Sequence, residues 1–196
     1  SMSDAIDYHP IMVWGDVPTY DGWTVSMPTI LLATNFTLGG NIVVVDGAEL
    51  YINNASLWFN CSSQSEFGVT FQSGSRFGEF DGYWKSIDSN FGYYVEAEAG
   101  SEIYLDGTIF VDGYEVSIKT NDTQLVGIAL HNMTYGLEFG PDIDGLTLTD
   151  SSIAGISGIA QTAIVLDTCR NIVVYNITMN DVNRGVMITS SVDITL

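Results

Sequence analysis

The sequence contains few positively charged residues. Only 5 of its 196 residues are Lys or Arg, against 24 Asp and Glu, so the formal net charge at pH 7 is −19. Nucleic-acid binding requires clustered cations that neutralise phosphates, so this balance argues against a nucleic-acid partner. It also disfavours anionic membranes and acidic polysaccharides such as pectin, whereas cations, neutral sugars or a high-salt setting fit better. Solubility of a flat surface is the simpler explanation of the same charge.

Proline and histidine are rare as well. Four prolines beside 20 glycines suit a chain in which many corners join many short strands. The two histidines, His9 and His131, show no spacing typical of a zinc or copper site, and no phosphate loop or dinucleotide fingerprint occurs. No run of about 18 apolar residues is present, as a membrane-spanning helix would require. The composition therefore predicts no cofactor and no membrane span.

Short alternating strands joined by glycine corners recur along the chain. In residues 40–57, two runs of alternating apolar residues flank an Asp46-Gly47 pair. Alternation with a period of two predicts a strand with one buried face, and an Asp-Gly pair predicts a turn. Gly74 and Gly100 likewise follow one alternating run and open another.

A second corner recurs after the second strand of each unit. It falls two residues after a core position, at residue types that tolerate a left-handed backbone or bond their own backbone. The six positions are Asn54, Gly82, Gly107, Asn132, Asp150 and Asn176. We predict that they stack along one edge, about 4.8 Å apart per rung.

Repeats of this length, each forming one rung of strands, predict a solenoid in which every rung buries its apolar face against the next. The corners are 18 to 28 residues apart, and this irregular period favours a right-handed parallel β-helix. The predicted fold is all-β, with about six to seven rungs over residues 37–196 and truncated at the C-terminus. Residues 1–36 lack the repeat and are predicted to cap the first rung.

The alternation also predicts which residues stack in the core. The predicted columns are Leu137–Ile164–Val186, Phe139–Leu166–Ile188, Ile128–Leu146–Ile172–Ile194 and Leu130–Leu148–Val174–Leu196. One unit is irregular: counted from Gly74, the core position fits Phe80 better than Glu79, which predicts a β-bulge at Gly78. Cys61 and Cys169 would lie about five rungs, or ~20 Å, apart. A disulfide needs Cα atoms within about 7 Å, so both cysteines are predicted to be unpaired.

Three segments of the second half carry a resemblance to a known family. They are Thr162-Ala-Ile-Val-Leu-Asp, Asn171-Ile-Val-Val-Tyr-Asn-Ile-Thr and Arg184-Gly-Val-Met-Ile-Thr. These segments resemble the parallel β-helix repeats of pectate-lyase-like proteins. The first half resembles β-helices of large prokaryotic, especially archaeal, surface proteins. The resemblance covers roughly residues 37–196 and is specific for the fold rather than for an activity.

The resemblance implies a cell-surface domain with a structural or adhesive role. Carbohydrate binding through outward aromatic residues fits that role, and a polysaccharide lyase or glycoside hydrolase is the alternative. The Arg-X-Pro-X-X-Arg pattern of β-helix lyases is absent, as are the Asn-Thr-Asp, Asp-Asp and Gly-His-Gly motifs of polygalacturonases. A module that only spaces other domains is the third possibility.

Outward-facing residues past the glycine corners form a candidate ligand site. Two residues after the corners lie Glu49, Arg76 and Glu102, which predicts a cation between two carboxylates on successive rungs. Two residues further on lie Tyr51, Gly78 and Tyr104. These predict a slot with a glycine floor and tyrosine walls, which would suit a sugar ring. The alternative is that a bulge at Gly78 breaks the column and loops cover it.

Asp142 and Asp144 are the candidate metal ligands. Their alternation predicts two carboxylates on one strand face, at a spacing compatible with calcium. Exposed acids at a corner are the alternative.

The chain holds six Asn-X-Ser/Thr sequons, which favours a glycosylated exterior protein. Three of the six fall on predicted corners, where the backbone itself favours Asn. The remaining candidates for glycosylation are Asn35, Asn60 and Asn121. We therefore expect an extracellular or cell-surface location, with glycans or other surface proteins as partners.

Overall fold

A computed structural model of the chain describes residues 12–157 and 162–196. These residues form an all-β solenoid of parallel strands, as the sequence predicted. The strands in chain order are β1 (Met12–Trp14), β2 (Trp23–Val25), β3 (Thr29–Leu32), β4 (Asn35–Leu38), β5 (Ile42–Val44), β6 (Glu49–Asn53), β7 (Ser56–Phe59), β8 (Gly68–Phe71), β9 (Arg76–Phe80), β10 (Tyr83–Ser86), β11 (Tyr94–Ala97), β12 (Glu102–Asp106), β13 (Ile109–Val111), β14 (Glu115–Ile118), β15 (Thr123–Val126), β16 (Ala129–His131), β17 (Leu137–Phe139), β18 (Asp144–Thr149), β19 (Ser152–Ala154), β20 (Thr162–Asp167), β21 (Arg170–Tyr175), β22 (Thr178–Asn180), β23 (Arg184–Thr189) and β24 (Val192–Thr195).

Three sheets run along the solenoid, and each rung contributes one strand to each. Sheet A contains β1 and every third strand from β3 to β24, sheet B every third strand from β2 to β23, and sheet C every third strand from β4 to β22. Rung one is β2–β4 and rung seven is β20–β22, so the described residues form about seven rungs, followed by β23 and β24. No described helix is long and apolar enough to span a membrane.

Parallel strand pairing begins before residue 37, the predicted start of the solenoid. Strands β2, β3 and β4 pair in parallel with β5, β6 and β7, so residues 23–38 form a rung. Between β2 and β3 this rung has no glycine corresponding to Gly47 or Gly74, while at its next corner, after β3, Ala33 adopts the left-handed backbone with φ 44°. β1 pairs antiparallel with β3 at the edge of sheet A. Residues 1–11 of the predicted cap, His9 among them, lie outside the described residues.

Most of the predicted core columns are confirmed by strand register. Both sheet B columns pair as predicted, and in sheet A Leu146 pairs with Ile172, which pairs with Ile194, while Leu148 pairs with Val174. Ile128 and Leu130 are wrong members of the sheet A columns, because Thr123 and Leu125 occupy those places. The corner after β15 consists of Gly127 and Ile128, so Leu130 already belongs to sheet C. The two cysteines are buried and unpaired, as predicted.

The six corner positions that were predicted to form one column belong to two separate columns in the structure. At the corner between sheets A and C, left-handed residues stack through backbone hydrogen bonds from one rung to the next. They are Ala33, Asn54, Asp81, Gly107, Gly127, Asp150 and Asn176. Asp81 and Gly127 therefore replace Gly82 and Asn132 of the prediction. Asn132 belongs to a different column, after the sheet C strands, with Asp112 and Gly155.

The predicted bulge at Gly78 is also wrong. β9 pairs with β6 and β12 in one continuous register, in which Glu79 lies opposite Ile52 and Leu105. Glu79 is completely buried, whereas Phe80 is 41% exposed. Hydrophobicity alone assigned the core position to the phenylalanine, but the carboxyl group occupies it because it finds hydrogen-bond partners inside.

Candidate functional site

The outer face of sheet A carries the predicted ion-pair column. Arg76 lies between Glu49 and Glu102 in register, as the sequence predicted. Its Nη1 is 3.2 Å from Glu49 Oε1, and its Nε is 3.0 Å from Glu102 Oε2. The two carboxylates, Glu102 foremost, raise the pKa of Arg76 above its ordinary value. The guanidinium group therefore already forms ion pairs with two carboxylates of the protein.

Tyr51, Gly78 and Tyr104 are neighbours on three successive strands, in the predicted order. Tyr51 is 40% exposed, and its ring leans over Gly78, so a Cβ there would lie 2.9 Å from Tyr51 Cδ1. Tyr104 is half-buried and tilts against Phe80, with ring centroids 5.4 Å apart. A larger residue at position 78 would therefore displace the Tyr51 ring.

These residues line a groove of about 600 Å³, which we call the tyrosine groove. Besides Tyr51, Gly78 and Tyr104, it is lined by groups that can form hydrogen bonds. These include Arg76, Ser101, Glu102, Asn121, Asp122 and Gln124. Aromatic rings beside amides and carboxylates can stack on an apolar ring face while bonding to hydroxyl groups at its edge. Arg76 and Glu102 were predicted beside the tyrosines, but Asn121, Asp122 and Gln124 were not, because their position depends on how β12 and β15 lie in register.

A second cleft, which was not predicted from the sequence, lies on the outer face of sheet B. It has a volume of about 320 Å³ and is lined by Tyr94, Glu96, Tyr114, Glu115 and Lys119, among others. Lys119 Nζ bonds to Glu96 Oε1 at 2.6 Å. Burial, followed by the nearby carboxyl of Glu138, raises the pKa of Glu115. These side chains come together only through the register of their strands, so no local sequence motif predicts the cleft.

The candidate calcium ligands do not share a strand. Asp142 is a left-handed corner residue before β18, and Asp144 is the first residue of that strand. Both are exposed, and Asp144 Oδ1 accepts a 2.7 Å hydrogen bond from Asn171. Within 12–157 and 162–196, no group of three or more His, Cys, Asp or Glu side chains is placed to hold a metal ion. Calcium binding at Asp142 and Asp144 stays a prediction.

The three candidate glycosylation sites are all exposed. Asn35 lies on β4, Asn60 follows β7 and donates a 2.8 Å hydrogen bond to the Tyr20 hydroxyl, and Asn121 accepts one from the Asp144 backbone. Exposure is necessary for modification but does not demonstrate it, so glycosylation stays a prediction.

No protein-family model, curated protein or solved structure matches this chain. The pectate-lyase-like resemblance and the prokaryotic surface origin therefore remain predictions from the sequence, while the parallel β-solenoid rests on the strand pairing itself.

Proposed function

We propose that this chain is a structural or adhesive β-helix domain of a prokaryotic, archaeal surface protein, and that it binds carbohydrate in the tyrosine groove. The domain would be a right-handed, pectate-lyase-like helix with glycans on its exposed sequons. The observation that supports binding is the register of Tyr51, Gly78 and Tyr104, which leaves two rings beside an open, polar-lined groove. Aromatic walls with a few polar groups are typical of ligand sites.

The charges of the groove favour a neutral glycan over an acidic one. Arg76 is its only Lys or Arg and already contacts two carboxylates, while Glu102 and Asp122 add negative charge. A uronic acid would meet these carboxylates without a free cation to receive it. Sugar hydroxyls, in contrast, can donate to Glu102 and Asp122 and can exchange hydrogen bonds with Asn121 and Gln124.

A glycan-array screen of the wild type and of a Tyr51→Ala/Tyr104→Ala double variant tests this proposal. We expect the wild type to bind neutral glycans, and the double variant to lose binding with a nearly unchanged thermal midpoint. Tyr175→Ala is the matched control, since Tyr175 is 67% exposed on the same sheet but far along the solenoid. Unaltered binding by the double variant would remove the groove from consideration. A complete absence of glycan binding would favour the spacer module.

The sheet B cleft favours one alternative, a polysaccharide lyase or glycoside hydrolase. A raised pKa on one of two neighbouring acids is typical of a general acid in glycoside hydrolysis. Glu138 lies near enough to Glu115 to raise its pKa. However, the sequence carries none of the lyase or polygalacturonase motifs, and this is why we propose binding rather than hydrolysis. Release of reducing sugar that is abolished by Glu115→Gln would reverse that choice.

A further inference from the structure

The carboxyl group of Glu79 lies in the centre of the aromatic core. The side chain is completely buried, in a column otherwise filled by Ile52 and Leu105. Around it, the Trp84 ring lies 5.9 Å from Phe77 and 5.5 Å from Phe110, measured between ring centroids. Ionising a carboxyl group in such surroundings is unfavourable unless a cation compensates the charge.

Two hydrogen bonds and one glycine accommodate the carboxyl group. Trp84 Nε1 donates to Glu79 Oε1 at 2.5 Å, and Thr108 Oγ1 bonds to Glu79 Oε2 at 2.9 Å. A Cβ on Gly82 would overlap the carboxyl group, so the glycine makes the space that it fills. Trp84 belongs to rung three and Thr108 to rung four, so the carboxyl group joins two successive rungs.

No cation compensates Glu79 within the part of the chain that the structure describes. Arg76 faces outward and is paired with Glu49 and Glu102, and Lys85 is 3.8 Å from Asp112. The other titratable group that faces Glu79 is Tyr93, whose hydroxyl donates to the Trp84 carbonyl. Burial raises the pKa of Tyr93 well above its ordinary value, so this phenol stays neutral as Glu79 titrates.

Burial raises the pKa of Glu79 to about 8, although the hydrogen bonds from Trp84 and Thr108 lower it. At neutral pH the group is therefore mainly the uncharged acid. Thr108 donates to the carboxylate form. The neutral acid also suits the site, because one oxygen can accept from Trp84 while the O–H of the other donates to the Thr108 hydroxyl, which then acts as the acceptor. The carboxylate would keep both acceptor contacts but leave a charge without compensation in the core.

We propose that Glu79 is a proton-operated latch: as the neutral acid it holds rungs three and four together, and loss of its proton to solvent at mildly alkaline pH loosens the core between them. The unfolded chain loses this proton near the ordinary value of 4.5, whereas the folded chain keeps it until about pH 8. The folded state therefore binds more protons over this range. The stabilisation is complete below about pH 4.5 and is lost as pH rises through about 8.

Denaturant unfolding at pH 5 to 8.5, in wild type and in Glu79→Gln, tests the latch. For one proton, the wild-type folding constant should fall by up to about tenfold per pH unit, relative to Glu79→Gln. Gln is the matched substitution because its amide can accept from Trp84 and donate to Thr108, as the neutral acid does. Glu102→Gln, at a side chain that is 68% exposed, should leave the wild-type pH dependence intact.

The unfolding measurements end at pH 8.5 because two buried thiols titrate at higher pH. Burial raises the pKa of Cys61 and of Cys169 above the ordinary value of 9.0. A difference between Glu79→Gln and wild type below that pH therefore belongs to Glu79. Equal pH dependence in the two proteins would overturn the proposal.

Infrared difference spectra of the folded wild type provide a readout that does not depend on unfolding. We expect the carbonyl band of a neutral buried carboxyl group at pH 6, its loss near pH 8, and its absence from Glu79→Gln. If Glu79→Gln fails to fold, Glu79→Leu continues the aliphatic column and should lack the same band. A wild type without this band at pH 6 would refute the latch.

Discussion

Rungs two to four have an aromatic core, whereas the sheet A and B columns of rungs six and seven are mainly aliphatic. In rungs two to four the buried aromatic residues are Phe59, Phe71, Phe77, Trp84, Tyr93 and Phe110. The aliphatic columns contain Leu146, Leu148, Ile164, Leu166, Ile172 and Val174. Aliphatic residues pack in register without hydrogen-bonding needs, but a buried indole or phenol also brings a polar atom inside. The aromatic part must therefore contain polar partners, and Glu79 is one of them.

The aromatic part of the core also depends on stacked ring geometry. Phe71 and Phe77 stack with ring centroids 4.3 Å apart, and Phe59 and Tyr93 with centroids 4.6 Å apart. The Trp84 ring on β10 has aromatic neighbours on three other strands, namely Phe59, Phe77 and Phe110. Removal of this ring should consequently disturb several strands at once.

Replacing Trp84 should produce the largest loss of stability. Trp84→Ala would leave a cavity among three rings and remove the donor from Glu79 Oε1, so we expect a loss of about 3–5 kcal/mol in the free energy of unfolding. Urea unfolding at pH 6 measures it. Trp58→Ala is the control, because Trp58 is 43% exposed on the outer face of β7. A loss at position 84 no larger than that of the control would contradict the central place of the indole.

Gly82→Ala tests whether the aromatic core is built around a carboxyl group. The new methyl group would overlap the carboxyl of Glu79, and crowding of this kind typically destabilises by about 1–3 kcal/mol. In a Glu79→Ala background the loss should be much smaller, so a double-mutant cycle should give a clear coupling energy. Gly47→Ala is the control. Nothing lies within 4 Å of its added Cβ, so its loss should come from the left-handed backbone alone and be independent of Glu79. Additive effects at positions 79 and 82 would mean that the glycine has another role.

The difference between the aromatic core of rungs two to four and the aliphatic columns of rungs six and seven explains which core residues could be predicted from the sequence. The sheet B columns of residues 137–188 were predicted residue by residue, because alternation of Leu, Ile and Val identifies both the strand and its buried face. At β9 the same rule failed, because it assigned Phe80 inward and Glu79 outward. Trp84 and Thr108 lie 5 and 29 residues after Glu79 in the sequence. No local sequence pattern predicts that they will form hydrogen bonds with its buried carboxyl group.

The candidate sites also differ in whether they could be predicted from the sequence. The order Glu49, Arg76, Glu102 followed from counting residues after glycine corners, since those corners keep one offset. The sheet B cleft could not be found that way, because Glu115 and Glu138 approach each other only through the register of β14 and β17. The corner column was only partly right because it included Asn132, which lies after a sheet C strand, and because it took Gly82 instead of the left-handed Asp81 just before it.

Ile164→Val should lower the free energy of unfolding by less than Trp84→Ala or Gly82→Ala, and by an amount that does not depend on pH. Ile164 is completely buried between Leu137 and Val186, and loss of one methylene group typically costs about 0.5–1.5 kcal/mol. No described titratable group forms part of this column, so the difference from wild type should be constant from pH 5 to 8.5. Denaturant unfolding over that range checks it, with Glu79→Gln as the pH-sensitive reference. A difference that changes with pH would show that the latch extends beyond the aromatic rungs.

Arg76→Met should have the smallest effect, and it separates the outer face of β9 from its inner face. The methionine keeps the apolar stem of the arginine and removes only the charge that contacts Glu49 and Glu102. Water screens exposed ion pairs, so the change in unfolding free energy should be smaller than that of Ile164→Val. Any difference should also shrink at about 1 M salt, where the Debye length is about 3 Å. The effect of Glu79→Gln should persist at that salt concentration, because burial rather than an exposed ion pair controls the acid inside. If the Arg76→Met difference persists at high salt while that of Glu79→Gln disappears, then the exposed column, and not the buried acid, determines the electrostatics of this strand.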